Sequence, residues 1–203
     1  MPVSDHQLTQ AWDEVLRLSK VQPGQSVTIL TGAATHPQTL RAAMMAAQAA
    51  GAVVSRVDLP PVNAHRSLSR DPLAYLGETP LTGNPAAIAA LKASDLVIDL
   101  MTLLFSPEQI DILGSGTKIL LAVEPPEVLV RTVPTEADRT RVLAASEKLR
   151  KARQMRVVSD AGTDVTFDLG EFPTISEYGF VDEPGRWDHW PSGFVLTWPN
   201  EGG

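Results

Sequence analysis

Three of the chain's four tryptophans fall between Trp187 and Trp198, and His189 stands among them. Histidine can exchange protons near neutral pH, and tryptophan rings offer flat surfaces on which another ring can stack. Glu177 lies just upstream, so a carboxylate and an imidazole with aromatic walls can form a general acid–base pair within about a dozen residues. The alternative is that these rings, Trp190 among them, fill the end of a hydrophobic core. The charged residues between the rings favour a functional site.

Composition narrows the possible functions. The 203 residues carry a net charge of −7 and show no basic stripe, which argues against a nucleic acid as partner. The chain has no cysteine, so disulfides, thiolate catalysis and cysteine-ligated metal centres are excluded. The sequence opens without a basic leader and apolar segment, and no run approaches ~18 apolar residues. We therefore expect a cytoplasmic protein that does not enter membranes.

The first part of the chain alternates amphipathic helices with short apolar strands. The patterns predict helices over residues 8–18, 37–50, 84–93, 106–114 and 135–153, and strands over residues 27–31, 52–57, 95–104, 117–123 and 155–158. Strands that are apolar on both faces and alternate with helices are typical of a mostly parallel sheet with helices on both faces. Residues 60–83 are rich in proline and are predicted to form a long connection. The sequence therefore predicts an α/β fold.

The pattern changes near residue 160. Residues 162–169 alternate as an antiparallel strand does, and glycine and proline dominate thereafter. We therefore divide the chain into an α/β domain over residues 1–160 and an irregular or antiparallel arm over residues 161–203. The arm carries the tryptophan-rich stretch.

Open α/β sheets bind ligands beyond the carboxyl ends of their strands. This rule nominates residues 31–36 after the first strand, Phe105 and Ser106 after the third, and Glu124 after the fourth. Ser106 and His36 can instead serve only as helix caps. The first turn lacks the glycine spacing of dinucleotide sites, and the chain has no Walker A loop, nucleophile elbow or H-E-x-x-H motif. No metal site is visible from motifs alone.

Three long runs resemble one family of enzymes. They are LLFSPEQ at residues 103–109, ILLAVEPPEVL at residues 119–129 and EYGFVDEPGRWDHWPSG at residues 177–193. Together with the opening of the chain, they resemble the 2,5-dihydroxypyridine 5,6-dioxygenases of nicotinate degradation over essentially the whole sequence. The resemblance implies a fold similar to T-type metallo-aminopeptidases and a mononuclear non-haem Fe(II) that cleaves the pyridine ring with O₂, giving N-formylmaleamate. A hydroxylated ring could stack on the aromatic residues while a histidine and a carboxylate move its hydroxyl protons.

The same resemblance implies where the metal is held. In the family, the His, Ser and Asp ligands lie in a C-terminal portion beyond the position of Gly203. We therefore expect a truncated enzyme with no metal ligand of its own, whose residues 161–203 begin a second, metal-binding domain. The family has a histidine implicated in catalysis at the position of Phe105. Phenylalanine keeps the flat ring but cannot carry a proton.

On this interpretation Glu177 and His189 are the catalytic residues. Substrate binding is assigned to Phe105, Ser106, Trp187 and Trp190, where the two tryptophans form either pocket walls or core. The expected partners are a small aromatic substrate, O₂ and further copies of the chain. Two alternatives stay open: a non-catalytic binding or assembly fragment, and an aminopeptidase-like metallohydrolase. Iron content separates the first from the enzyme, and turnover of dihydroxypyridine against peptide separates the second.

Overall fold

The computed structural model describes residues 3–60 and 79–201 of the chain. It divides into two compact units. The first comprises Met1–Pro134 and Gly179–Ser192, and the second comprises Thr135–Tyr178 and Gly193–Gly203. The second unit thus begins well before the division that the sequence placed near residue 160. Most of the predicted connection over residues 60–83 lies outside the described residues.

The secondary structure follows the predicted alternation closely. In the described residues the helices are α1 (Asp5–Leu18), α2 (Pro37–Ala49), α3 (Pro85–Lys92), α4 (Pro107–Gly114), α5 (Pro126–Arg131) and α6 (Glu136–Lys151). The strands are β1 (Ser26–Thr31), β2 (Val53–Asp58), β3 (Leu96–Asp99), β4 (Lys118–Leu121), β5 (Gln154–Val158), β6 (Asp164–Asp168), β7 (Ile175–Glu177), β8 (Trp187–His189) and β9 (Phe194–Leu196). Only α5 has no counterpart among the predicted helices.

The first unit is built on a five-stranded sheet of order β2-β1-β3-β4-β8. Every neighbouring pair in it is parallel. Helices flank the sheet, so the predicted α/β class with a parallel sheet is confirmed. The fifth strand is nevertheless not the predicted one.

The apolar run at residues 155–158 was expected to complete the parallel sheet, and this was wrong. It forms β5, which pairs antiparallel with β6 in the second unit. Val158 is 62% exposed, so the run is not a buried strand at all. The place beside β4 is taken by β8, where Ile119 N donates to the carbonyl of Arg186 and Trp190 N donates to that of Leu121. A short apolar run cannot by itself distinguish these two positions.

The sheet buries both of its faces. Val97 and Ile119 point to one face, where they join a fully buried cluster with Leu91 of α3 and Ile112 of α4. Successive strand residues point to opposite faces, so Ile98 points to the other face, and it is also completely buried. Apolar residues on both faces are what a sheet covered on two sides requires.

Polar contacts hold residues 179–192 against parts of the first unit that are distant from them in sequence. Val181 N donates to the hydroxyl of Ser19, and the buried Lys118 ammonium donates to the Ser19 carbonyl at 2.8 Å. Lys20 pairs with the buried Asp182 carboxylate at 2.8 Å. These bonds fix the path of the chain that leads into β8.

The second unit contains α6 and two small antiparallel pairs, β5-β6 and β7-β9. A capping box opens α6: the Thr135 hydroxyl accepts from Asp138 N, and the Asp138 carboxylate accepts from Thr135 N. The Arg139 guanidinium lies 5.6 Å from the ring centre of Tyr178. The antiparallel character expected beyond residue 161 is therefore present. In residues 3–60 and 79–201, no helix is both long and apolar enough to cross a membrane.

Candidate active site

The carboxyl edge of the parallel sheet brings several of the predicted residues together. Asp99 of β3 lies in register with Leu121 of β4, which lies in register with His189 of β8. Residues in one row of a sheet point to the same face. Trp187, two residues before His189, therefore also points to this face. The edge of β3, β4 and β8 is thus the place where the candidate residues converge.

His189 is held in a half-buried position, with 22% of its side chain exposed. Burial lowers the pKa of His189 below its ordinary value of 6.5, and the nearby Glu124 carboxylate partly offsets this by raising it. The imidazole is therefore neutral at pH 7. A neutral imidazole nitrogen can accept a proton, which is what a general base must do.

Glu124 faces His189 from the segment that follows β4. Its Oε1 lies 3.9 Å from Nε2 of His189, too far for a hydrogen bond. Nε2 of His189 has no hydrogen-bond partner among the described residues. This buried nitrogen could accept a proton without giving up another hydrogen bond, and the carboxylate stands where it would stabilise the imidazolium that results.

Asp188, between the two candidate side chains of β8, points to the opposite face and is completely buried. Its Oδ1 accepts hydrogen bonds from the backbone N–H groups of Gly179 and His189. Its Oδ2 pairs with the Arg186 guanidinium at 2.7 Å. Because a buried carboxylate with several partners resists displacement, these bonds fix β8 and with it the direction of His189.

Trp187 and Phe105 form an aromatic pair in the first unit. Their ring centres lie 5.6 Å apart, with the planes inclined at 52°. The indole Nε1 of Trp187 is buried and has no hydrogen-bond partner among the described residues. A flat surface beside an unused N–H donor suits an aromatic ligand that carries oxygen substituents. The predicted assignment of these two residues to substrate binding stays a prediction that this geometry supports.

The loop that carries Phe105 is organised by Asp99. The apolar run was predicted to stay extended to residue 104, but β3 ends at Asp99. The Asp99 carboxylate accepts hydrogen bonds from the backbone N–H groups of Met101, Thr102 and Leu103, at 2.7–2.9 Å. These bonds replace the next rungs of the strand ladder and turn the chain.

Asp99 is completely buried. Burial raises the pKa of its carboxyl from 3.8 to about 6, although the three backbone hydrogen bonds act in the opposite direction. The loop also contains two non-glycine residues in the left-handed region, Thr102 at φ 75° and Phe105 at φ 54°. Such residues are strained and are held in place by their surroundings.

Ser106 has a structural role in the described residues, and its predicted role in substrate binding stays a prediction. It is completely buried, and its hydroxyl accepts from Gln109 N as the N-cap of α4. The Gln109 side chain does not complete a capping box with Ser106, because it accepts from Phe105 N at 2.7 Å, and Ser106 N donates to the Leu103 carbonyl instead. The cap therefore also anchors the Phe105 backbone.

Trp190 belongs to the core, which is the second of the two alternatives open for it. Its ring is completely buried and packs edge-to-face against Trp12, with ring centres 4.9 Å apart. Its Nε1 donates to the carbonyl of Thr132 at 3.0 Å. Because Trp190 lies one residue beyond β8, it fixes the end of the strand, and its assignment to substrate binding stays a prediction.

Glu177 lies in the second unit, at the end of β7, where it is 3% exposed. Its predicted pairing with His189 of the first unit stays a prediction. His36 caps α2, since its Nδ1 accepts from Gln38 N. The hydroxyl of Thr31 donates to the Asp58 carboxylate. The Thr31 contact lies at the end of β1, and the His36 contact lies at the start of α2. Structural roles are therefore enough to explain the polar residues at both ends of the segment 31–36.

A comparison with known proteins decides the family. A family model described as 2,5-dihydroxypyridine 5,6-dioxygenase matches residues 7–203. The chain belongs to this dioxygenase family. The resemblance found in the sequence is therefore confirmed.

Two known proteins show how far the similarity to the dioxygenase family extends. A curated 2,5-dihydroxypyridine 5,6-dioxygenase from Pseudomonas putida KT2440 is 56% identical over 201 residues, which are 99% of this chain and 57% of the relative. A solved structure of 2,5-dihydroxypyridine dioxygenase from the same organism matches with a TM-score of 0.89 at 56% identity, over 98% of this chain and 57% of that one. The chain thus spans somewhat more than half the length of these relatives.

The iron expected for the dioxygenase family can be tested against the residues present. In residues 3–60 and 79–201, no three His, Cys, Asp or Glu side chains come together so that they could hold a metal ion. His189 and Glu124 form only a pair, whereas non-haem iron sites typically use two histidines and a carboxylate. The described part of this dioxygenase-family chain does not by itself provide an iron site.

Sequence reasoning missed the residues that position the site. Asp99, Gln109 and Asp188 each use a buried polar side chain to hold the backbone beside a candidate residue. One signal was available for Asp99: a carboxylate within an otherwise apolar strand is costly to bury and must have partners. The identity of those partners could not be read from the sequence.

Proposed function

We propose that this chain forms the α/β part of an enzyme that opens the ring of 2,5-dihydroxypyridine with O₂ between C5 and C6, giving N-formylmaleamate. The observation that carries the proposal is the convergence of a neutral His189 and the Phe105–Trp187 pair at the carboxyl edge of the sheet. This is the edge where open α/β sheets bind ligands. The family match over residues 7–203 supports the same substrate class.

The aromatic pair provides the surface for the substrate ring. A pyridinediol is flat and apolar on its faces and polar at its rim, so it gains most by packing against rings with donors at their edges. The buried Nε1 of Trp187 is such a donor. Phe105 supplies contact area only, because it has no proton to give or take.

His189 handles the proton. Its neutral imidazole accepts the proton of a ring hydroxyl, which makes the ring more electron-rich and easier to oxidise. The Glu124 carboxylate, 3.9 Å away, stabilises the positive charge that the imidazole gains. Glu177 is proposed as a second proton-handling group, in line with its place in the motif at residues 177–193.

We also propose that Fe(II) serves this reaction with ligands that lie outside the described residues. When bound, the metal would supply the redox chemistry that O₂ requires. Iron analysis of the complete protein tests this, and stoichiometric iron in the 203-residue chain alone, retained through dialysis, would contradict it.

The experiment that tests the function uses His189→Gln in the complete, iron-loaded protein. Loss of a general base typically lowers the rate 10²–10⁴-fold, so we expect kcat for 2,5-dihydroxypyridine to fall by about that range while substrate affinity changes little. The matched control is His6→Gln, because His6 is exposed on α1 of the same unit. Equal kcat in His189→Gln and in the control would overturn the role of His189.

One observation favours a second candidate, a module that binds the pyridinediol without converting it. Phe105 keeps the aromatic pair with Trp187 but removes proton transfer at that position. Anaerobic calorimetry and aerobic turnover separate the two: binding with no turnover in iron-loaded protein supports the binding module. No observation in the described residues favours the aminopeptidase-like hydrolase.

A cytoplasmic homo-oligomer that binds neither nucleic acid nor membranes stays a prediction. The net charge of −7 supports the part that concerns nucleic acid and membranes, because an acidic protein repels nucleic acid and anionic lipid. Sedimentation at several concentrations tests the oligomeric state, and a single monomeric species at all of them would contradict it.

A further inference from the structure

We propose that Asp99 is a positioning residue of the active site: its buried carboxylate, with the Gln109 amide, shapes the loop over residues 100–106 so that the Phe105 ring is presented to Trp187. The proposal rests on the proposed function, since it assigns a role in the binding of the substrate ring. The inference follows from the hydrogen bonds of one short segment.

The side chains of Asp99 and Gln109 hold the loop over residues 100–106 through hydrogen bonds to its backbone. Both oxygens of Asp99 are used: Oδ1 accepts from Met101 N and Thr102 N, and Oδ2 accepts from Leu103 N. Two residues after Leu103, Phe105 N donates to Oε1 of Gln109 at 2.7 Å. Four of the backbone N–H groups of this turn are therefore satisfied by two side chains.

The conformation that these bonds impose is one that the loop residues do not prefer. Thr102 and Phe105 both have positive φ values, 75° and 54°. A β-branched or aromatic residue is strained in this conformation, which persists only when its surroundings enforce it. Neither residue is a glycine that would adopt this backbone freely, so the bonds to Asp99 and Gln109 must hold the turn.

The direction of the Phe105 side chain follows from its backbone. At φ 54° the Cβ leaves the chain on the side opposite to that of an extended or helical residue. The ring then meets Trp187, with ring centres 5.6 Å apart. An extended or helical Phe105 would send the ring elsewhere and would open the aromatic pair.

Two aspartates at opposite ends of β3 provide an isosteric test, Asp99→Asn, and a matched control, Asp95→Asn. Asp99→Asn replaces an acceptor oxygen with an N–H₂ group that would face backbone donors. Asp95→Asn makes the same change at the amino end of β3, where the Asp95 carboxylate accepts, among the described residues, from the amide and hydroxyl of Ser26. The two variants therefore have the same chemistry and opposite locations.

The first readout is NMR of the indole N–H groups in the complete protein, with the Trp187 signal assigned through Trp187→Phe. We expect Asp99→Asn to shift the Trp187 signal and to raise the exchange rates of the amides of residues 101–103 at least about ten-fold, as their acceptor is lost. The signals of Trp12, Trp190 and Trp198 should stay in place, as should all four in Asp95→Asn.

The second readout is turnover of 2,5-dihydroxypyridine per bound iron. The Phe105 ring would orient the substrate against His189, and displacement of such a positioning group by about 1 Å can cost 10²-fold. We therefore expect kcat in Asp99→Asn to be about 10- to 100-fold lower, and KM to rise as well, because Phe105 also supplies contact area. Asp95→Asn should match the wild type in both constants.

The outcomes are distinct. A local shift of the Trp187 signal with lowered kcat supports the proposal. An unmoved Trp187 signal overturns it, as does unchanged kcat. Movement of all four indole signals also overturns it, because Asp99 would then only maintain the fold. If the wild type neither binds nor converts 2,5-dihydroxypyridine, the proposed function fails, and the NMR readout still decides whether Asp99 shapes the loop.

Discussion

Phe105→His is the change that most sharply separates a packing role from a chemical role at the edge of the sheet. The backbone tolerates it, since histidine occurs at positive φ more readily than most residues and Phe105 sits at φ 54°. The ring stays beside Trp187, at about the present 5.6 Å between ring centres. An imidazole there would supply the proton-accepting nitrogen that the phenylalanine ring lacks.

The expected gain follows from general base catalysis. A positioned base contributes typically 10²–10⁴-fold to a rate, or about 3–5 kcal/mol of activation free energy. We therefore expect kcat of the complete, iron-loaded protein to rise within that range, while substrate affinity changes only modestly. The assay is loss of 2,5-dihydroxypyridine absorbance under saturating O₂, normalised to bound iron.

The control for this experiment is Phe105→Asn. Asparagine also accepts positive φ but has no titratable base, so it measures the combined effect of relieved backbone strain and loss of the ring that packs on Trp187. His189→Ala in the Phe105→His background should lower kcat again, and non-additively if both residues act on one proton path. Equal kcat in wild type and Phe105→His would refute the reasoning and make residue 105 a packing position.

Three further predictions concern stability. Trp190→Phe should lower the free energy of unfolding by about 1–3 kcal/mol in urea titrations, because it leaves the Thr132 carbonyl without its donor and opens space in the core; no loss would contradict the core assignment. Burial raises the pKa of Asp99 from 3.8 to about 6, so the folded state holds this proton more tightly than the unfolded state. Stability should therefore fall as pH rises through that window, by about 3 kcal/mol more in wild type than in Asp99→Asn; parallel pH profiles would refute this. Hydrogen exchange should be faster in β5 and β6, whose strand residues are largely exposed, than in the fully buried β3; equal protection would contradict it.

The sequence predicted the first four strands of the sheet because apolar runs between capped helices leave few alternatives. It failed at the fifth because Met155–Val158 is as apolar as a buried strand, whereas Trp187–His189 contains a charged residue and reads as a loop. Asp188 can lie in a strand only because Gly179 and Arg186 satisfy its carboxylate. Such partners are set by tertiary structure, which periodicity does not report.

The sequence also predicted part of the candidate site. The rule that ligands bind at the carboxyl ends of strands selected Phe105 and Glu124 correctly as neighbours of this edge, and the unusual tryptophan-rich motif selected Trp187 and His189. The sequence could not distinguish the role of Trp190 from that of Trp187, because both are tryptophans of one motif. In the structure Trp190 lies in the core and Trp187 lies at the edge of the sheet. Burial of individual side chains was the missing information.

The central claim is that the carboxyl edge of β3, β4 and β8 forms a wall of the pyridinediol site. A crystal structure of the complete, iron-loaded protein with 2,5-dihydroxypyridine, grown without O₂, tests it most directly. The account predicts the substrate ring within about 4 Å of Phe105 and Trp187, and a substrate hydroxyl within about 2.6–3.2 Å of a His189 nitrogen. A substrate bound with its ring and hydroxyls away from all three residues would contradict it.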